Sequence, residues 1–203
     1  MASVNTTVGY QNLPAQVIST GTETALLVPA QGLYAGLPSP TLTAGAGLAI
    51  GFPPDIAGGI YDGHPFVVSL FGKVTTGGSL TFLPNIYQVS AATLLAGTQA
   101  TLANDHVVVT TTATTVATTT VNFSIQAQFI WDSTSKILGG QVLSAAIKGV
   151  NIVANGGTVS TQPATTIVTA VGISDLNFIP SFTFGTANAA NSVQVTEFVI
   201  DRA

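Results

Sequence analysis

Residues 121–131, VNFSIQAQFIW, alternate without a break. Val121, Phe123, Ile125, Ala127, Phe129 and Trp131 fall on one side, and Asn122, Ser124, Gln126 and Gln128 on the other. Six apolar positions at a period of two predict an antiparallel strand with one buried face, and they place Trp131 in the core with Phe123, Ile125 and Phe129. Weaker versions of the pattern surround it. PFVVSLFGKV (65–74) and SLTFLPNIYQV (79–89) read as two strands of a hairpin through TTGG. Residues 105–120, DHVVVTTTATTVATTT, read as a strand followed by a loop or a second strand. DSTSK then turns the chain into ILGGQVLSAAI (137–147), where Gly139–Gly140 is the expected bulge. Asn155–Gly156–Gly157 marks a turn, and TTIVTAV (165–171), LNFIPSFTF (176–184) and SVQVTEFVI (192–200) follow as strands. Pro180 within the second of these marks an edge or a bulge.

Between these runs the pattern fails in informative ways. Residues 25–63 are too dense in Pro and Gly for a continuous helix, although short strands at ALLVP and GLAIGF fit among the turns. SAATLLAGTQATLA (90–103) is the one helical candidate, weakened by Gly97. Residues 1–24 carry scattered apolar anchors without any period. They are expected to form an extended N-terminal arm, with residues 25–203 as a single domain. Short strands separated by turn signals predict an all-β protein, an antiparallel β-sandwich of the jelly-roll kind.

Composition changes the picture in one respect. The 203 residues include four Lys and Arg and eight Asp and Glu, so 6% are charged, where about a quarter is usual. Mean hydropathy is +0.54, which excludes disorder, since disordered chains pair low hydropathy with high charge. Thirty threonines let an exposed strand face be polar without charge. A chain that has nearly dispensed with charges is expected to keep much of its surface against other protein. A net charge of −4 argues against nucleic acid, which needs clustered cations. No apolar run spans a bilayer as a helix, and without basic residues near Met1 no signal peptide is expected.

Candidate chemistry is thin. With no Cys, thiolate and Cys-based metal chemistry is excluded. His64 and His106, near Asp62 and Asp105, read as turns before strands and not as metal ligands. There is no G-x-S-x-G, no dinucleotide fingerprint and no calcium loop. The acids sit mostly in turn-like settings. No enzyme, cofactor or metal is therefore expected.

FIWDSTSKILGG and IPSFTFGTANAANSVQVTEFVIDRA resemble, in their Thr/Ala/Gly/Val-rich style, the decoration (cement) proteins of tailed-bacteriophage capsids. The resemblance covers the last 80 or so residues and no site residue carries over. It implies a β-sandwich virion subunit, a homotrimer on the capsid exterior that clamps the major capsid protein. In that reading the arm docks on a neighbour through Val8, Tyr10, Leu13 and Val17. The alternative is a receptor- or carbohydrate-binding β-sandwich, a fibre head or adhesin, with a groove lined by Tyr34, Tyr61, Tyr87 and Trp131.

Overall fold

In the computed structural model the described residues are 8–13, 15–25, 50–52, 63–89, 106–117, 119–132, 137–153, 162–163 and 176–202. They form two antiparallel sheets, packed face to face. The helical candidate at 90–103, the turn at 155–157 and the strand at 165–171 lie outside the described residues.

The larger sheet is built on β5 (Pro65–Thr75), β9 (Thr120–Asp132), β10 (Ile137–Ile147) and β14 (Ser192–Arg202). With β1 (Val8–Gln11) and β11 (Val150–Asn151) its order is β1-β14-β5-β9-β10-β11, and β2 (Gln16–Val17) and β12 (Gln162–Pro163) pair with β14 and β10. The smaller sheet runs β3-β13-β6-β7, from β3 (Thr24–Ala25), β13 (Leu176–Phe184), β6 (Leu80–Val89) and β7 (His106–Val109). Two short strands complete it, β4 (Ile50–Phe52) on β13 and β8 (Thr114–Val116) on β6.

β9 behaves as its pattern dictates: Phe123, Ile125, Ala127, Phe129 and Trp131 are buried, and Trp131 is 2% exposed. These side chains meet phenylalanines of the opposite sheet. Phe178 lies 5.3 Å from Phe129 and 6.1 Å from Phe66 between ring centroids. Further along, Phe82 stacks on Phe182 at 5.9 Å and 9° and lies 5.4 Å from Phe123. Each such ring removes a large apolar area from water and adds a modest term from its packing geometry.

Four expectations are corrected. First, the strands around TTGG are not a hairpin. β5 pairs with β14 and β9 in the larger sheet, and β6 pairs with β13 in the smaller. The chain crosses between sheets here, where Thr76 Oγ1 donates to the Ala117 carbonyl and Gly77 N–H donates to Asn191 Oδ1. Asn191 is fully buried and also donates to the Thr186 carbonyl, fastening a second crossing, β13 to β14.

Second, the β10 bulge falls at Leu143, between Val142 and Ser144, and not at Gly139–Gly140. Gly140 stays in register opposite Phe129, and a Cβ there would collide with the Gln128 carbonyl. Its role is close approach.

Third, β13 is not an edge strand along its length, although Pro180, expected to mark an edge or a bulge, pairs with Ile86 on one flank and has no ladder partner on the other among the described residues. The missing N–H is tolerated because β4 covers residues 176–178 on the other flank and β3 covers 181–182, leaving Pro180 between them. Pro84 of β6 repeats the arrangement, with β8 on residues 80–82 and β7 on 86–88.

Fourth, residues 8–25 are not an arm outside the sandwich. β1 pairs with residues 197–200 and β2 with 192–193 of the same chain's β14. Asn12, Leu13 and Ile18 N–H groups donate to the carbonyls of Thr196, Val195 and Asn191 between them. β3 then joins β13 in the other sheet. The boundary expected at residue 24 does not separate two structural units over these residues.

Two outcomes follow. Phe123→Ala, removing a ring that touches both Phe82 and Phe182, should cost about 3–5 kcal/mol in a urea melt. Deleting residues 1–20 should expose the whole flank of β14, lowering the melting midpoint and promoting edge pairing seen as aggregation in light scattering.

Candidate functional site

The residues expected to make a site are dispersed. Trp131 is core, and Tyr87 is 7% exposed and donates its hydroxyl to Glu23 Oε2 at 2.7 Å. The groove expected from Tyr34, Tyr61, Tyr87 and Trp131 therefore does not form from the latter two, and Tyr34 and Tyr61 lie outside the described residues. Leu13 packs against its own core, whereas Val17 is 67% exposed. Val8 and Tyr10 sit in β1, with their backbone paired to Ile200 and Phe198. His64 is exposed, His106 opens β7, and Asp62 and Asp105 lie outside the described residues. Among the described residues no three His, Asp or Glu side chains come together.

Two outward-facing features remain. On the smaller sheet, Glu23 accepts hydrogen bonds from Ser181 Oγ at 2.6 Å, Asn85 Nδ2 at 3.1 Å and the Tyr87 hydroxyl. Asn85 in turn accepts from Thr111 N–H through Oδ1 at 3.2 Å. Ser181 and Asn85 are buried although they point away from the aromatic core. The carboxylate thus clamps the segment before β3 onto the outside of β6 and β13. Its oxygens accept from three side-chain donors of the fold, which is the chemistry of an anchor.

On the larger sheet the outward face is polar without charge over much of its area. Gln126 Nε2 donates to Ser69 Oγ, Ser144 Oγ donates to Gln126 Oε1, and Gln141 Nε2 donates to Gln128 Oε1, each at 3.4 Å. One end of this face holds an open groove of about 430 Å³. β5 contributes Phe71 and Lys73, β9 contributes Asn122 and Ser124, and β10 contributes Ala146. Gly149, in the turn to β11, and Thr196 of β14 close its ends.

Local irregularities shape it. The register of β14 against β5 shifts between Val195 and Glu197, so Thr196 is the extra residue, and a bulge of this kind re-aims its side chain. Opposite the shift, Gly72 lets the backbones close up, since a Cβ there would meet the Gln194 carbonyl and the Phe123 ring. At the other end, Ile147 pairs with Val150 around a two-residue turn in which Lys148 and Gly149 have φ of 52° and 76°. Lys148 N–H donates to the Asn122 carbonyl at 2.9 Å, tying this turn to the groove wall. Alternation along β9 already aligned Asn122 and Ser124 on one face. Phe71, Lys73 and Thr196 gave no signal, because they reach that face only through strand pairing.

Replacing Glu23 with Ala leaves the Ser181 and Asn85 donors without that acceptor, and the cost should be about 2 kcal/mol or more. Glu23→Gln, which keeps one carbonyl oxygen, should lose less. Urea midpoints of the two variants measure the difference.

No protein-family model and no curated protein matches the chain. Among solved structures it is similar to the legume lectin-like domain from Entamoeba histolytica, at 6% identity and a TM-score of 0.32, over 98% of this chain and 90% of that one.

Proposed function

We propose that this protein is a non-catalytic binding module and that the groove on the larger sheet takes an oligosaccharide. One observation carries the reading: an open groove of about 430 Å³ on a rigid sheet combines the aromatic Phe71 with the amide of Asn122 and the hydroxyls of Ser124 and Thr196. A sugar offers the complementary surfaces, an apolar ring face for Phe71 and hydroxyls for the amide and hydroxyl groups. Small residues at Gly72, Ala146 and Gly149 leave the backbone approachable. The central strands beneath, β5 and β9, are long and paired on both flanks, which gives the preorganisation that weak polar contacts need.

Direct binding to a panel of oligosaccharides, followed by calorimetry on the positives, tests this. Ser124→Trp, filling the groove from an outward position, should abolish binding while leaving the unfolding free energy within about 0.5 kcal/mol of wild type, as surface changes do. Phe71→Ala should weaken binding without abolishing it. Full binding by Ser124→Trp would remove the groove from the function.

A second reading, a subunit of a larger protein assembly such as a homotrimer on a virion surface, is supported by a different observation. Four basic and eight acidic residues serve a surface of 9498 Å². On that surface Val17, Ile130, Leu143 and Val150 are exposed by 47–67%. Sedimentation at tens of micromolar should show an oligomer little affected by salt, and Leu143→Lys should shift it toward monomer. A well-behaved monomer would discard this reading.

A further inference from the structure

We infer that the groove selects an anionic oligosaccharide, one whose carboxylate or sulfate is held between Lys73 and Lys148; this rests on the oligosaccharide reading of the same groove. The first ground is the distribution of cations. The chain has three Lys and one Arg against eight acids, yet Lys73 lines the groove and Lys148 immediately precedes the lining residue Gly149. Two of the four cations are thus carried by backbone that flanks Asn122, Lys73 as its register partner on β5 and Lys148 through its N–H bond to the Asn122 carbonyl. Both are exposed, and neither ammonium has an ion-pair partner among the described residues. Strand register brings two acids of β14 to this face, Glu197 opposite Phe71 and Asp201 opposite Val67, and neither is part of the groove lining.

The second ground is independent of charge. Lys148 occupies the first position of a two-residue hairpin turn with positive φ at both residues. That geometry favours Asn or Gly at the first position, because a longer L-residue side chain is strained in the left-handed region. The backbone there does not call for lysine. Strain tolerated in one residue is a pointer to use of its side chain, and the bond from Lys148 N–H to the Asn122 carbonyl holds the turn against the groove. A ligand anion bridging the two ammonium groups would gain charge-assisted hydrogen bonds, stronger than those its hydroxyls make with Asn122 and Ser124.

The test compares three probes of equal length by calorimetry on the full chain: an uncharged glucan hexamer, a uronate hexamer and a sulfated hexasaccharide. At least one anionic probe should bind about tenfold more tightly than the uncharged one, the scale of a charged hydrogen bond, and the advantage should shrink as salt is raised. The uronate and sulfated probes tell carboxylate from sulfate. Lys148→Asn is the informative variant. It improves the turn and should leave the melting midpoint unchanged or higher, yet remove most of the anionic preference. Lys73→Gln should act likewise. Equal binding of all three probes, lost in Ser124→Trp but unaffected by the lysine variants, would overturn the anionic preference and leave the groove reading standing. Binding of none of the probes, or binding that Ser124→Trp leaves intact, would overturn both.

Discussion

The interlock of phenylalanines between the two sheets is the constraint on which the other features depend. Phe66, Phe123 and Phe129 descend from the larger sheet, and Phe82, Phe178 and Phe182 rise from the smaller, with ring centroids 5.3–6.1 Å apart across the seam, while Phe184 packs on Phe82 within the smaller sheet. In a sandwich these positions must recur at a period of two on both partners, so every residue between them is forced outward. The polar face of β9 is a direct consequence. Asn122, Ser124, Gln126 and Gln128 are outside because Phe123, Ile125, Ala127 and Phe129 are inside.

The two outer faces have been resolved differently. The face of the smaller sheet is covered in part by its own chain, with Glu23 satisfying Ser181, Asn85 and Tyr87. Burying such donors without an acceptor would be costly, so covering strand and polar cluster come as a pair. The larger sheet keeps an open groove. Its shape comes from departures from regular pairing, namely the Thr196 bulge, the Gly72 close approach and the left-handed turn at Lys148–Gly149. A regular sheet would present a flatter surface at this position.

The crossings between sheets join the two halves of this arrangement. Asn191 and Thr76 supply side-chain bonds where the backbone ladders end, and Thr75 and Thr120 share a bond of 2.8 Å across the same end of β5 and β9. Threonine and asparagine here do work that charged pairs do in other proteins, since a neutral hydroxyl or amide satisfies a buried carbonyl without the desolvation cost of an ion. Low charge and a well-bonded interior are compatible for this reason.

The sequence by itself determined the fold class, the face of β9 that is buried, the place of Trp131 in the core and the positions of β13 and β14, because side-chain alternation is a local property of extended backbone. It could not determine partners. A period of two says which way a residue points and nothing about which strand lies beside it, so β5 and β6 looked like a hairpin although they belong to different sheets. Residues 8–25 showed no period because their strands are only two to four residues long and depend on β14 and β13 for their ladders. Proline at 180 signalled an irregularity, but only the tertiary arrangement shows that two short strands meet on either side of it, and that Pro84 sits in the same way. The groove was beyond the reach of local pattern for the same reason: Phe71, Lys73, Asn122, Ser124 and Thr196 are brought together by hydrogen-bond register across three strands, which no single stretch of sequence contains.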